Sequence, residues 1–438
     1  MLVDIVSTST AGGAGIAARR LHDVLRREGT ESRFWYGHSP DSGELDASFH
    51  EFPRSQLAGN RWQQLWQQIG YRVRHRIHKY QWKRSMRGRP AGLELFSPAK
   101  EAWATPFCPN SPGDILHLHW IARMLDFPSF FASLPAALPV IWTLHDLFPL
   151  TGGCHYAGGC TAYTNECGDC PQLGVRGKRD LANQAFHIKA QALRGHRLHV
   201  VAPSRWLAHE ARRSPILASA DSFHHIPYGL DLARYAPLDR QAARQALGIQ
   251  PHGLVVGFGA ESLDNRRKGM PELVEALSRV STLRSLTGLA FGGGRLPDAS
   301  RALPPVHSLG FLKTPEQQRL AYNAMDLFVL PSLEENLAQT GLEALACGVP
   351  IVGFDTGGTP DFVRPGRTGL LAHCGDAQDL ARQIHWLLGA DNERMEMGRT
   401  ARKVACAEYD DRLQARRYKE LYRGVLEDAA LSAGRKAA

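Results

Sequence analysis

The 438-residue chain has no apolar run near the ~18–20 residues that a membrane-crossing helix needs. That argues against a helical membrane protein. Its start, Met1-Leu2-Val3-Asp4-Ile5-Val6, lacks a basic leader region and carries an early acid. It therefore reads as a first strand and not as a secretory signal, and the expected compartment is the cytoplasm. Cysteine is sparse, with eight in the whole chain, which excludes a disulfide-built fold. No internal repeat with a period of about 20–50 residues is present, so a solenoid or propeller is excluded as well. Acidic residues are missing altogether between Phe52 and Leu93, although ten Arg and Lys fall between Arg54 and Arg89.

What is present is the composition of a folded protein. Hydrophobic residues make up 43%, charged residues 22%, and the net charge is +9. The length suits two or three domains. Short apolar runs bounded by turn residues alternate with stretches of helical periodicity. Leu2–Ser7, Ser32–Tyr36, Asp114–His119, Val140–Leu144, Leu198–Ala202 and Ser222–Ile226 read as buried parallel strands. After a linker at Asp231–Asp239 the pattern restarts, with strands at Leu254–Gly259, Leu289–Phe291, Val306–Leu309, Leu327–Leu330 and Ile351–Phe354. Two such blocks predict an α/β protein of two Rossmann-like, doubly wound domains facing a central cleft. The expected limits are 1–230 for the first, 231–400 for the second, and 401–438 for a C-terminal helix returning to the first. Ligands in these sheets bind beyond the carboxyl ends of the strands.

The segment with most chemistry runs from Asp326-Leu327-Phe328-Val329-Leu330-Pro331-Ser332 through Glu335 and Glu343 to Gly348-Val349-Pro350. A strand ends at Pro331, and a helix starts near Ala338. Glu335 falls in the loop between them and Glu343 on the helix. A helix N-terminus favours a diphosphate, and carboxylates beside it can accept hydrogen bonds from sugar hydroxyls. Upstream, Phe258-Gly259-Ala260 precedes Arg266-Arg267-Lys268-Gly269. Fixed cations there would stabilise charge on a leaving diphosphate. In the first block, Trp142-Thr143-Leu144-His145-Asp146 closes a strand, which puts His145 at a carboxyl end. His117 and His119 alternate along their strand and share one face, as packing residues or as part of a site. Gly12-Gly13-Ala14-Gly15 reads as a loop between the first strand and a helix over Ile16–Arg27. It is either a tight turn or a place where backbone meets a phosphate or acceptor.

These segments resemble the donor-binding core of retaining glycosyltransferases of family four, which have the GT-B fold. Gly12–Gly15, His117–Trp120 and Trp142–Cys170 together resemble a bacterial exopolysaccharide subgroup of the colanic-acid type. The resemblance implies that Glu335 lies near the donor sugar, Glu343 near the ribose, Lys268 at the diphosphate and His145 close to the sugar. It makes His145, Glu335 and Lys268 the candidate catalytic residues. Gly13, Gly15, Arg267, Lys268, Asn336, Leu337, Ala338 and Glu343 are the candidate donor-binding residues. Two departures stand out. Asn336-Leu337-Ala338 replaces the family's Gly-Phe-Gly, and Ala260-Glu261 stands where it has an Arg, a role left to Arg266 or Arg267.

The expected function is transfer of a hexose or deoxyhexose from a nucleoside-diphosphate sugar to a saccharide or lipid-linked acceptor in cell-surface polysaccharide synthesis. A nucleotide-sugar epimerase or a non-catalytic sugar-nucleotide-binding protein of the same fold is the alternative. Catalysis requires no cofactor on this reading. Cys154, Cys160, Cys167 and Cys170 are either free thiols or a structural zinc site. The basic stretch 54–89, with Trp62, Trp66, Tyr71, Tyr80 and Trp82 among its cations, suits an anionic membrane surface or a solvated insertion. It lacks any nucleic-acid-binding module. The protein would then be peripheral at the inner face of the membrane.

Overall fold

The computed structural model describes residues 1–40, 45–52, 61–101, 105–107, 109, 111–250, 252–280, 286–295 and 304–437. It divides into two units. The first is Met1–Ile226 together with Ala415–Ala438, and the second is Pro227–Gln414. The change of unit thus comes at Pro227, against 231 from the sequence. The helix Asp411–Ala437 rejoins the first unit from Ala415, against 401.

The first unit is built on strands β1 (Leu2–Ser9), β2 (Glu31–His38), β3 (Phe49–Glu51), β4 (Ile115–Leu118), β5 (Pro139–Thr143), β6 (Arg197–Ala202) and β7 (Ser222–His225). They form one parallel sheet in the order β3-β2-β1-β4-β5-β6-β7. Strand side chains alternate between two apolar layers, as burial on both faces demands. Val3, Ile5, Ile115 and Ile141 pack with the helix Gly12–Arg27 and with Tyr418 and Tyr422 of the C-terminal helix. Val6, Leu116, Leu118, Val140 and Trp142 pack on the other face with Phe127, Phe130 and Phe131. The early acid Asp4 is buried, and it is satisfied. It accepts from Arg33 at 2.7 and 2.8 Å, Trp35 Nε1 at 2.9 Å and the Gly113 N–H at 2.7 Å.

The second unit carries β8 (Leu254–Ser262), β9 (Leu286–Gly293), β10 (Val306–Ser308), β11 (Leu327–Leu330), β12 (Ile351–Asp355) and β13 (Gly369–His373), parallel and in the order β10-β9-β8-β11-β12-β13. Its floor is pinned by Asp326, which accepts from Arg244 at 2.6 Å, Arg240 at 2.7 Å and the Val255 N–H at 2.8 Å. Among the described residues no helix is long and apolar enough to cross a membrane.

The sequence reading of Gly12–Gly15 as a loop needs correction. These residues form the first turn of the helix Gly12–Arg27, with Ala11 at the N-cap position and no side-chain cap. A Cβ on Gly15 would lie 2.5 Å from the Ser9 carbonyl oxygen. Only glycine therefore lets the helix start so close to the end of β1. Strand order reverses beside β1 in the first sheet and beside β8 in the second. Each reversal opens a crevice at the strand carboxyl ends, between β1 and β4 and between β8 and β11.

Candidate active site

In the second unit, three loops converge beyond β8, β11 and β12. The short turn Arg266–Lys268 follows β8 and is capped by Asn265, whose side chain accepts from the Arg267 N–H. It ends at Gly269, where φ is +68° and an added Cβ would sit 1.8 Å from the Pro331 carbonyl oxygen. Glycine is required there on both counts. The Leu333 N–H donates to the Arg267 carbonyl at 2.7 Å, and the Gly358 N–H to the Glu335 carbonyl at 3.0 Å. The loops are thus sewn together through their backbones.

Glu335 is buried at the centre. Its Oε2 accepts from Lys268 Nζ at 2.6 Å, from Arg267 at 3.2 Å and from Ser332 Oγ at 3.4 Å. Burial pushes its carboxyl up, but the Lys268 and Arg267 charges and their hydrogen bonds outweigh that and bring it down to about 2. Arg267 also donates to the Glu334 carbonyl at 2.7 Å. Of the two arginines left open by the sequence, Arg267 is therefore the one at Glu335. Arg266 forms an exposed pair with Glu272 at 2.5 Å. Ala260, at the place of the family's Arg, is buried within β8. Two cations against one carboxylate leave a single positive charge over, next to the N-terminus of the helix Gln339–Ala346. That is a field suited to an anion.

Asn336, Leu337 and Ala338 are buried in the approach to this helix. Glu343 lies on it, buried, with one oxygen accepting from Tyr322 Oη at 3.0 Å. Tyr322 had no signal in the sequence. It sits on the helix Pro315–Ala324, and only the fold brings it to Glu343.

The other candidates belong to the first unit. His145 follows β5, and its Nε2 lies 3.0 Å from His119 Nδ1. Burial lowers His145 to about 4 and His117 to about 3, and it lowers His119 well below the usual imidazole range. All three are neutral near pH 7, so His145 can orient or exchange a proton but supplies no fixed charge. His117 is held in the core by Tyr422 Oη and Thr143 Oγ1, each at 2.8 Å. His119 Nε2, by contrast, is buried with no partner among the described residues. Asp146 accepts from His155 at 2.6 Å, Trp120 Nε1 at 2.8 Å and the Phe148 N–H at 2.9 Å. Its three donors fix the loop that carries His145. Gly13 is exposed and Gly15 buried at the end of β1.

Cys154, Cys160, Cys167 and Cys170 line one small cavity, and none forms a disulfide. Among the described residues, no three His, Cys, Asp or Glu side chains already stand gathered as metal ligands. Arg54 lies outside the described residues, and the side chains of Arg61, Trp66, Tyr71, Arg72 and Arg74 are not described.

The fold is GT-B, with two Rossmann-like α/β domains. Its structural likeness spans the chain. Sucrose-phosphate synthase from Thermosynechococcus elongatus aligns over 98% of this chain and 100% of its own at 18% identity and a TM-score of 0.64. Anabaena HepE in complex with UDP and glucose aligns over 97% and 100% at 16% identity and a TM-score of 0.64. Residues 253–390 match the family described as Glycosyl transferases group 1. The matched stretch lies within the second unit and includes the whole Lys268–Glu335–Glu343 constellation. Curated relatives include D-inositol 3-phosphate glycosyltransferases of Nocardia farcinica, 35% identical over 44% of this chain and 46% of theirs, and of Rhodococcus erythropolis, 32% identical over 40% and 43%. The chain thus spans somewhat under half the length of these relatives.

Proposed function

We propose that the chain is a retaining glycosyltransferase that uses a nucleoside-diphosphate sugar. The observation that carries this is the buried Glu335 clamped by Lys268 and Arg267 at the carboxyl ends of β8 and β11, beside a helix N-terminus. The diphosphate would take the surplus positive charge as it leaves. Glu335 would hold the two cations in place and face the sugar, while Glu343, steadied by Tyr322, would receive the ribose. Among the described residues, the site shows no paired carboxylates for double displacement. Attack from the face the diphosphate leaves, with a donor phosphate oxygen taking the acceptor proton, suits it best.

The acceptor has two readings. The first-unit motifs favour a hexose or deoxyhexose passed to a growing or lipid-linked saccharide. The relatives' names favour a small phosphorylated polyol. A thermal-shift screen of UDP, GDP, ADP and TDP sugars should single out one donor, raising the melting point by several degrees at ~100 times Kd. With that donor, nucleoside diphosphate should appear only when a saccharide or D-inositol 3-phosphate is added. Isomerised donor without release would mean an epimerase. Binding without turnover would mean a non-catalytic protein.

We also infer that the helix Arg61–Met86 meets an anionic membrane surface. Trp62, Ile69, Val73, Ile77 and Tyr80 are all exposed, and at 3.6 residues per turn they fall within an arc of about 80°. Arg76 and Lys83 flank them and Arg84 lies within the same arc, all exposed, while Trp82 and Met86 pack inward on the opposite side. Apolar groups among cations on an outward face match an acidic lipid surface. Trp62→Ser with Tyr80→Ser should cut sedimentation with phosphatidylglycerol vesicles at least roughly fivefold, since each aromatic adds about 1 kcal/mol or more of interfacial burial. Unchanged sedimentation would refute this.

A further inference from the structure

Nothing in the donor site makes use of the loop from Gly152 to Leu173. Its four cysteines are far apart in sequence terms for so short a loop, yet all four line the same void, of about 20 Å³. A space of that size holds one water or one small ion and nothing larger. Three of the thiols are buried and Cys160 is partly so.

Three further features point to a cation within the void. The first is the way the backbone addresses the sulphurs. The Gly152 N–H donates to Cys167 Sγ at 3.2 Å, and the Gln172 N–H to Cys170 Sγ. Between these two cysteines the chain bends at Asp169, held at φ +48°, and the Cys170 N–H donates to Asp180 Oδ2 at 2.8 Å. A two-residue gap bent in this way, with N–H groups donating to sulphur, suits a pair of thiolates sharing one metal. The second is Gln172. It lines the same void and is buried, and its Oε1 has no partner among the described residues, although its Nε2 donates to the Tyr156 carbonyl at 2.6 Å. An unpartnered buried acceptor beside a void calls for a cation or a donor in that void. The third is the charge around the loop. The fully buried Lys189 lies in electrostatic range of Cys154 and Cys167, and Arg89 in range of Cys154 and Cys170. Lys189 also donates to the Phe148 and Thr151 carbonyls, at 2.5 and 3.1 Å, at the entry to the loop. A divalent ion with four thiolates carries a net charge of about −2, and two cations are placed to balance it.

We propose that Cys154, Cys160, Cys167 and Cys170 bind one zinc ion that ties this loop to the body of the first unit. On binding, the four thiols give up their protons to solvent and turn inward as thiolates to Zn–S distances of about 2.3 Å, with no change of oxidation state. The donor set is closed, with no open position for a substrate, so the ion is structural. It lies beyond Asp146 in the same loop that positions His145, and its loss loosens that loop.

Protein purified without chelator from zinc-replete cells should contain about one zinc per chain by plasma mass spectrometry. Cobalt substitution should give the intense sulphur-to-cobalt charge-transfer band of a tetrahedral thiolate site. Cys167→Ser with Cys170→Ser should lower the zinc to less than about a tenth per chain, while Cys406→Ser, in the other unit, should leave it unchanged. If the double variant does not fold, mercurial titration of the wild type decides, with about one zinc released for every four thiols modified. Zinc below about a tenth per chain in the wild type, full retention in the double variant, or intact mass showing these cysteines as disulfides would each overturn the proposal.

Discussion

Glu335→Ala is expected to lower kcat/KM for glycosyl transfer by ~10²–10⁴ and to cost about 2–3 kcal/mol of stability in the second unit. The two losses have different origins. The stability loss comes from Lys268 and Arg267, which the missing carboxylate leaves crowded and partly buried at 21% and 13% exposure. Because neither is fully buried, the cost sits below the ~3–5 kcal/mol of a fully buried pair broken on one side. The rate loss comes from the sugar and from cations no longer held for the diphosphate. Adding Lys268→Met to Glu335→Ala should therefore recover much of the stability in urea titrations while activity falls further. Recovery of activity in the double variant, or full activity in Glu335→Ala, would remove this site from the mechanism. Linkage gives a second reading of the same contact. Glu335 is depressed from 4.5 to about 2. Its contribution is complete above about pH 4.5 and is lost as pH falls through 2.

The first unit should fail in acid well before that. His22, His117 and His145 are lowered by burial to about 3, 3 and 4, and His119 lies well below the usual range. In the fold they stay neutral, while the unfolded chain takes up protons below about pH 6.5. Stability is thus greatest above 6.5 and falls as pH drops from there towards the native values. Each histidine contributes up to ~1.4 kcal/mol per pH unit. Two carboxyls, the partly buried Glu101 and the more exposed Asp23, work the other way. Burial raises Glu101 to about 7 and raises Asp23. The net loss expected between about pH 6.5 and 4.5 is a few kcal/mol, confined to the unit that holds all four imidazoles. Urea titrations at about pH 7, 6 and 5 should show it. His117→Asn should flatten the slope by about one proton, whatever it does to the stability at pH 7. A first unit whose stability is level across this range would mean that these histidines are charged in the fold.

Much of the fold was legible because buried parallel strands write themselves as short apolar runs. The strands flanking both sheet reversals, and the loops carrying Lys268 and Glu335, were readable this way. The strands that escaped are marginal by the same criterion. Phe49-His50-Glu51 is three residues long, and Gly369–His373 is half exposed, so neither shows the continuous apolar signal of a central strand. The helix start at Gly12 escaped because three glycines suggest a loop by propensity, whereas close packing against Ser9 decides the outcome. In the site, charge types were readable but pairings were not. Arg267 was one of two equivalent choices until the fold sent Arg266 to Glu272. Tyr322 and Tyr422 could not be found at all, since their partners Glu343 and His117 are neighbours only in space.

The two-part composition of the first unit has a consequence for how the chain is made. Its sheet is complete in sequence by His225, but Tyr418 and Tyr422, which bond Thr143 and His117 in its core, come from the helix Asp411–Ala437. On the ribosome the second unit has its whole sequence available before these tyrosines emerge. The first unit must wait, with part of an apolar layer and two imidazoles uncovered, until synthesis has passed through the entire second unit. At ~5–20 residues per second, that exposure lasts for many seconds of every translation cycle. Chaperone demand during synthesis should accordingly fall on the first half of the chain, although that half is translated first.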